Sequence, residues 1–259
     1  MISDWLTFKQ RESKSGLTFD VIDYDEKSAE NSKIINEDFK NILIQNTLDY
    51  DILKQLAESL GWEKTKQEFI LKTIPKKKNM KKGRFGEILS SSILEEFHNY
   101  SIPIHKLQYV ISTDQSLPGT DLIAIKKNDS EILEMCFVEA KVRTGYDINA
   151  ISEAFEQLEN DIHDGIPTML RFVMARLAEK KDPILQLMIN YHLSRRIDRD
   201  TFRIVGLYDK KHWNEKSLTN LTKITSGFRN KLVVDVIQMN DLKNKVEQFY
   251  KSIGWELDE

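Results

Sequence analysis

One short segment restricts the fold of this chain more than any other. Residues 135–138, with the sequence Met-Cys-Phe-Val, are apolar at every position and lead directly into Glu139 and Lys141. A run that is apolar on both faces is typical of a strand covered on both sides, where a charge requires a partner or a metal ion. Side chains two residues apart on a strand point to the same face, so Glu139 and Lys141 share one. An acid–lysine pair of this kind is ordinary on an exposed strand. On a strand that is covered on both faces, it predicts a functional site.

A second apolar run begins with another acid. Residues 121–125, Asp-Leu-Ile-Ala-Ile, predict a neighbouring strand whose first residue, Asp121, lies beside Glu139. Carboxylate oxygens suit Mg²⁺ (or Mn²⁺), which takes few ligands from the protein and fills its remaining positions with water and substrate phosphate. A lysine can orient the attacking water or stabilise charge that develops on the phosphoryl group. The combination predicts a metal-dependent phosphodiesterase in which Asp121 and Glu139 hold the metal ion and Lys141 assists.

A third acid lies on a predicted helix upstream. Segment 83–97 has apolar residues at helical spacing, which predicts an amphipathic helix that carries Glu87. The apolar positions are Phe85, Ile88, Leu89, Ile93 and Phe97. Glu87 is the third candidate metal ligand, although a glutamate early in a helix is also common as a surface or capping residue. Gln157, in the helical stretch 151–162, is a weaker candidate, because an ordinary helix also exposes polar residues.

At these residues the chain resembles the PD-(D/E)XK nuclease superfamily. The pattern here is Gly-Thr-Asp121, seventeen intervening residues, then Glu139-Ala-Lys141. In that superfamily a helix before the strands often supplies a further acid, which corresponds to Glu87, and the following helix often supplies a polar residue, which corresponds to Gln157. The resemblance implies a mixed α/β sheet flanked by helices, and a deoxyribonuclease whose catalytic residues are the three acids and the lysine.

A narrower resemblance covers residues 80–165. The motifs Gly-Arg-Phe-Gly-Glu87, Leu-Pro-Gly-Thr-Asp121 and Phe-Val-Glu139-Ala-Lys141-Val are similar to those of the HamA family, the nuclease subunits of the Hachiman antiphage defence system. This resemblance implies a helicase subunit of the HamB type as partner, in a heterodimer. It also implies that the complex restrains cleavage until foreign or damaged DNA is engaged.

Basic residues are concentrated just before the predicted Glu87 helix. Six of them are candidates for DNA contact: Lys76, Lys77, Lys78, Lys81, Lys82 and Arg84. A second basic group comprises Arg195, Arg196, Arg199 and Arg203. Contacts to phosphates supply most sequence-independent affinity for DNA, but a charge run is also typical of a solvated linker. With a net charge of −3 the chain is not expected to coat nucleic acid unaided, and the lack of an aromatic-rich reading element predicts little sequence specificity.

The rest of the sequence bounds the organisation of the chain. Residues 1–75 predict an N-terminal extension with a helical lobe, and residues 76–259 a nuclease-like domain with a C-terminal α/β elaboration in which strands alternate with helices. No run approaches the ~18 apolar residues of a membrane span, and the N-terminus lacks the plan of a signal peptide, so we expect a cytoplasmic protein without membrane contact. The one cysteine and five histidines show no metal-ligand spacing, and no P-loop is present.

Two other functions remain open from the sequence. One is a nuclease-like fold that binds DNA or a helicase without cutting. The other is a restriction endonuclease with a defined recognition sequence. Retained phage protection or DNA binding in an Asp121→Ala variant would indicate the first. Discrete fragments from a plasmid, rather than a smear, would indicate the second.

Overall fold

The computed structural model describes residues 2–11, 17–27, 32–65, 69, 72, 74–110, 112, 114–163, 166–194 and 200–255. Its framework is one six-stranded mixed sheet with helices on both faces, which confirms the predicted fold class. The strands are β1 (Leu6–Gln10), β2 (Asp20–Glu26), β3 (Leu122–Lys127), β4 (Ile132–Arg143), β5 (Thr201–Asp209) and β6 (Lys231–Met239). The helices are α1 (Ile2–Trp5), α2 (Ser32–Thr47), α3 (Tyr50–Leu60), α4 (Trp62–Thr65), α5 (Lys78–His98), α6 (Ala150–His163), α7 (Thr168–Lys180), α8 (Ile184–Leu193), α9 (Lys216–Ile224) and α10 (Leu242–Trp255).

The strand order of the sheet is β1-β2-β6-β5-β4-β3. The four inner strands, β2, β6, β5 and β4, run parallel to one another, and each outer strand is antiparallel to its neighbour. The first two strands therefore complete the same sheet that contains the predicted catalytic strands. The domain boundary at residue 75 stays a prediction.

The core has two layers, one on each face of the sheet, and β4 contributes alternately to both. Val138 and Val142 pack with α5, α2 and α10, whereas Met135 and Phe137 pack with α6, α7, α8 and α9. Residues 136–138 of β4 lie between β3 and β5. Helices cover both faces of the sheet here, which explains why the run from Met135 to Val138 is apolar on both faces. Cys136 is fully buried there, as expected of a packing residue.

Arg203 does not belong to a basic surface, contrary to its grouping in the sequence. Its guanidinium lies inside the protein and donates two hydrogen bonds to Asp235, at 2.5 and 2.9 Å, which tie β5 to β6. It also donates to Nε2 of His98 at 2.7 Å, and the Tyr24 hydroxyl shares that nitrogen at 2.6 Å. Burial and the neighbouring guanidinium lower the pKa of His98 to about 3, so the imidazole is neutral and accepts both bonds.

The other three members of that group, Arg195, Arg196 and Arg199, lie outside the described residues. Among the helices of the described chain, none combines the length and apolar character that a membrane crossing requires.

Candidate active site

The site forms where β3 begins and β4 continues past it. β3 pairs with β4 only as far as the pair Leu122 and Val138, whereas β4 runs on to Arg143. Within the described structure, the last residues of β4 therefore have no strand partner on the β3 side. The residues that precede β3 enter this gap, which brings side chains from separate parts of the sequence to the second half of β4.

Asp121 lies directly across from Glu139. The register of the two strands, extended by one residue, pairs these two acids, and the Asp121 N–H donates to the Val138 carbonyl at 3.0 Å. The Ala140 N–H in turn donates to Asp121 Oδ2 at 2.8 Å, which fixes the carboxylate against the backbone of β4. Glu139 is 6% exposed. The predicted placement of Asp121 beside Glu139 is the one observed.

Lys141 is held between two oxygen acceptors on its face of β4. Its Nζ donates to Glu139 Oε1 at 2.8 Å and also contacts Oε1 of Gln157, on α6. The acid and the lysine thus share a face, as the two-residue spacing predicts. Gln157, the weaker candidate, contacts the lysine directly, so the structure brings it to the site.

Glu87 approaches from the opposite layer. It lies on α5, which packs against β4 at Gly86, where an added Cβ would stand only 2.6 Å from Val142 Cγ2 and 3.6 Å from Ala140 Cβ. The glycine allows helix and strand to approach closely, and the next residue along the helix is the half-buried Glu87. The close packing at Gly86 therefore positions the third acid.

The three acids influence one another electrostatically. Burial and the neighbouring carboxylate of Asp121 raise the pKa of Glu87 to about 8 and that of Glu139 to about 7. The ammonium groups of Lys106 and Lys141 oppose these shifts only in part. Carboxyl groups that repel each other in a partly closed space gain most when a cation joins them.

The donor set suits a hard divalent cation. Mg²⁺ needs only one or two carboxylates from the protein, and Asp121 and Glu139 supply two on facing strands. In the part of the chain that the structure describes, no three His, Cys, Asp or Glu side chains form a ready-made metal cluster. The geometry thus fits an ion held by two acids, with Glu87 as a neighbour.

Two residues that the sequence did not single out hold the Gly119-Thr120-Asp121 turn. Asp161 of α6 accepts hydrogen bonds from the Thr120 N–H at 3.3 Å and from the N–H of Thr168 at 3.1 Å. Lys106, in a short 3₁₀ turn, donates to the Thr120 carbonyl at 3.1 Å and lies 3.6 Å from Asp121 Oδ1. Nothing in their local sequence marks either residue, because both act through contacts made only in the fold.

The first residue of this turn, Gly119, has to be a glycine. Its φ of 85° lies in the left-handed region, and a Cβ there would stand 3.1 Å from the backbone nitrogen of Met169. A side chain at this position would be strained by both the conformation and the neighbouring α7. The glycine of the Gly-Thr-Asp sequence thus allows the turn to place Asp121 beside the unpaired end of β4.

The predicted DNA contacts divide into two sets. Three lysines at the start of α5 are exposed and two are half-buried: Lys76, Lys77, Lys78, Lys81 and Lys82. Arg84, in contrast, is 3% exposed, and burial lowers the pKa of its guanidinium against the pull of Tyr250 and Glu87. The basic surface beside the site is therefore formed by the lysines, with Arg84 inside the protein.

Comparison with known proteins is consistent with the motifs. A family model described as HamA matches residues 1–253. The chain is also 30% identical over 160 residues to a protein of Bacillus cereus named Hachiman protein HamA. That similarity covers 61% of this chain and 56% of the relative, so the chain spans about half of the relative's length. Because the family model matches nearly all of its residues, the chain belongs to the HamA family.

Proposed function

We propose that this protein is a metal-dependent DNA nuclease with a site of the PD-(D/E)XK type, and that it serves in a Hachiman antiphage defence system. The observation that carries the nuclease proposal is Asp121 fixed directly across from Glu139, with Lys141 on the Glu139 carboxylate. Membership of the HamA family, together with the name of the Bacillus cereus relative, supports the role in defence.

Asp121 and Glu139 are the residues that would hold Mg²⁺ (or Mn²⁺), and Glu87, which interacts electrostatically with both, would support the ion or a coordinated water. When bound, the ion would lower the pKa of a water molecule and polarise the phosphoryl oxygen. Burial and the Asp121 carboxylate raise the pKa values of Glu87 and Glu139, and a bound cation would favour the ionised form of both.

The chain's own groups supply the remaining chemistry. Lys141 is anchored by Glu139 and Gln157, so its ammonium is oriented before a substrate binds. In this position it would hold the attacking water or stabilise the negative charge that develops on the phosphoryl oxygens. Gln157 acts as a positioning residue, because its amide oxygen contacts the lysine.

The lysines at the start of α5 support a nucleic-acid substrate, which we take to be DNA. Lys78 and Glu87 are nine positions apart on α5, or about 14 Å along the axis at the rise of an α-helix. This distance corresponds to about four base-pair steps, so the lysines would contact phosphates on one side of the cut. Contacts of this kind are to the backbone rather than the bases, which agrees with cleavage of little sequence specificity.

A nuclease without sequence specificity requires restraint in its own cell. We assign this restraint to a HamB-type helicase partner, which would also supply the ATPase activity that this chain has no P-loop to perform. The N-terminal lobe and the C-terminal third are the candidate docking regions. On the lobe, Ile52 and Trp62 are half exposed, at 56% and 50%, a feature that supports a partner surface there.

The test is plasmid cleavage in Mg²⁺, by the protein alone and by its complex with a co-purified helicase plus ATP. The key variant combines Glu139→Gln with Lys141→Met, which removes both charges at similar volume. Its matched control combines Lys126→Met with Glu134→Gln, because that acid–lysine pair, at 3.4 Å, joins β3 to β4 outside the site. We expect the first variant to form the complex without cleaving, and the control to cleave as the wild type does.

The outcomes separate the alternatives. Cleavage only with partner and ATP supports a restrained effector, and cleavage by the wild type alone supports a free-standing nuclease. If no wild-type condition gives cleavage, the protein is a binding module. Loss of the complex in the Glu139→Gln/Lys141→Met variant would show that these residues are structural.

A further inference from the structure

Lys106 is a buried lysine inside the candidate active site. It is 4% exposed, although lysines are rarely buried without a partner. Its ammonium lies 3.6 Å from Asp121 Oδ1 and donates to the Thr120 carbonyl at 3.1 Å. It also acts electrostatically on both Glu87 and Glu139. One cation thus faces all three acids of the site.

The segment that carries Lys106 is held against the core and helix α2. The 3₁₀ turn Lys106–Tyr109 buries Leu107 in the core, and the Gln108 amide donates to the Gln45 carbonyl on α2 at 2.8 Å. The ammonium is therefore directed at Asp121 by the packing of the turn rather than by a mobile surface loop.

The charges of the site show what this lysine can do. Three carboxyl groups face two ammonium groups, because Lys141 pairs with Glu139 and Lys106 with Asp121, and the Arg84 guanidinium also acts on Glu87. Removal of Lys106 would leave Asp121 with its backbone hydrogen bond from Ala140 but without a charged partner. A divalent cation that binds the same carboxylate would replace that attraction, and the ammonium would then repel it.

We propose that Lys106 is a resident counter-cation that stabilises the Asp121 carboxylate in the metal-free protein and thereby weakens metal binding. The inference rests on the proposed function, because it requires that the three acids bind a divalent ion. Lys106 is here a positioning residue that acts through Asp121. Its consequence is a nuclease that needs a higher concentration of free metal ion, or a bound substrate, before its site fills.

The test measures binding of Mn²⁺ to the full-length protein by titration calorimetry, together with thermal stability in the absence of metal. Lys106→Met removes the charge and keeps the apolar stem. We expect this variant to melt at a lower temperature without metal and yet to bind Mn²⁺ about tenfold more tightly, because a monovalent and a divalent cation on one carboxylate repel each other to that extent even in a water-like dielectric. A purely structural lysine would give the opposite sign, since a loosened Asp121 would bind the metal ion more weakly.

Two further variants complete the experiment. Lys106→Arg keeps the charge and is expected to bind Mn²⁺ as the wild type does. Lys126→Met removes a lysine that pairs with Glu134 near the far end of β3 and should not change Mn²⁺ affinity. Should Lys106→Met fail to fold, Lys106→Gln provides the same comparison.

The inference and the proposed function fail in different ways. Weaker or unchanged Mn²⁺ binding by the folded Lys106→Met variant, with normal binding by the wild type, would overturn the role of Lys106 and leave the metal site in place. Absence of Mn²⁺ binding in both the wild type and the variant would overturn both.

Discussion

Replacement of Gly86 by alanine should damage catalysis far more than it damages the fold. The new methyl carbon would lie 2.6 Å from Val142 Cγ2, well inside the 3.5–4.0 Å at which carbon atoms pack. Val142 is buried and β-branched, so its side chain has few other rotamers to adopt. Helix α5 must therefore move away from β4, and Glu87 moves with it.

The size of the effect follows from two opposing terms. Overpacking of a core contact costs about 1–3 kcal/mol, whereas alanine gains about 1 kcal/mol over glycine in a helix interior. The net loss should be about 1 kcal/mol, or roughly 2–4 °C in melting temperature for a chain of this length. A displacement of about 1 Å at a catalytic group can reduce the rate by about 100-fold, so we expect cleavage to fall much further than stability.

Thermal melting and plasmid cleavage test this reasoning on five proteins: the wild type, Gly86→Ala, Gly83→Ala, Val142→Ala and the Gly86→Ala/Val142→Ala double variant. Gly83→Ala is the matched control, because a Cβ at Gly83 meets nothing within 4 Å and should stabilise the same helix by about 1 kcal/mol. Combining Gly86→Ala with Val142→Ala removes the clashing methyl group, and we expect partial recovery of cleavage with a coupling of at least about 1 kcal/mol. Strictly additive losses in the double variant would refute a steric origin, and unchanged cleavage by Gly86→Ala would refute the role of the close packing at Gly86.

Three further predictions concern the charges. Because the folded-state pKa values of Glu87 and Glu139 lie above their unfolded values, the metal-free protein should lose stability as pH rises from about 5 to about 8. In melting curves, Glu87→Gln should make this pH dependence less steep, and a rise in stability over the same range would contradict the prediction. Arg203→Met should lower the free energy of unfolding by about 3–5 kcal/mol, measured in urea, because it leaves the buried Asp235 without its charged partner. Adding Asp235→Leu should recover most of this loss, and an equal loss in the double variant would argue against uncompensated charge as the cause. Asp161→Ala should lower the free energy of unfolding by about 1–3 kcal/mol and slow cleavage, whereas Asp161→Asn, which keeps a hydrogen-bond acceptor, should lose less stability. Normal cleavage by the alanine variant would show that the turn before β3 does not need the hydrogen bonds to Asp161.

The parts of the site that lie on regular elements were predictable from the sequence. The apolar run before Glu139 indicated a covered strand, and the two-residue spacing placed Lys141 on the same face, because strand geometry is local. Asp121 could be placed beside Glu139 because it opens a second apolar run close in sequence, and strands joined by a brief connection form an antiparallel pair. The helical spacing of the apolar residues around Glu87 predicted that it lies on a helix. Only the structure shows that close packing at Gly86 brings this helix against β4.

The parts that depend on distant contacts were not predictable. Lys106 resembles any other lysine in a loop, and its burial follows from the packing of its turn against α2 and the start of β3. Asp161 reads as an exposed helix residue until the fold brings Thr120 to it. Arg203 was grouped with surface arginines because its partner, Asp235, stands thirty-two positions later on the adjacent strand. Charge in a sequence does not report whether its partner lies nearby in space.

The order of strands in the sheet also governs when this protein can finish folding during synthesis. β2 pairs with β6, so the first strands of the chain have no partner on that side until residues beyond Lys231 have left the ribosome. Pairings so distant in sequence close slowly, since a long loop must be ordered first. Until then β3, β4 and β5 can pair with one another but not with the other half of the sheet, and a nascent or interrupted chain holds its acids and lysines on this incomplete support. The candidate site therefore gains its full support only after β6 has been made and has joined the two halves of the sheet.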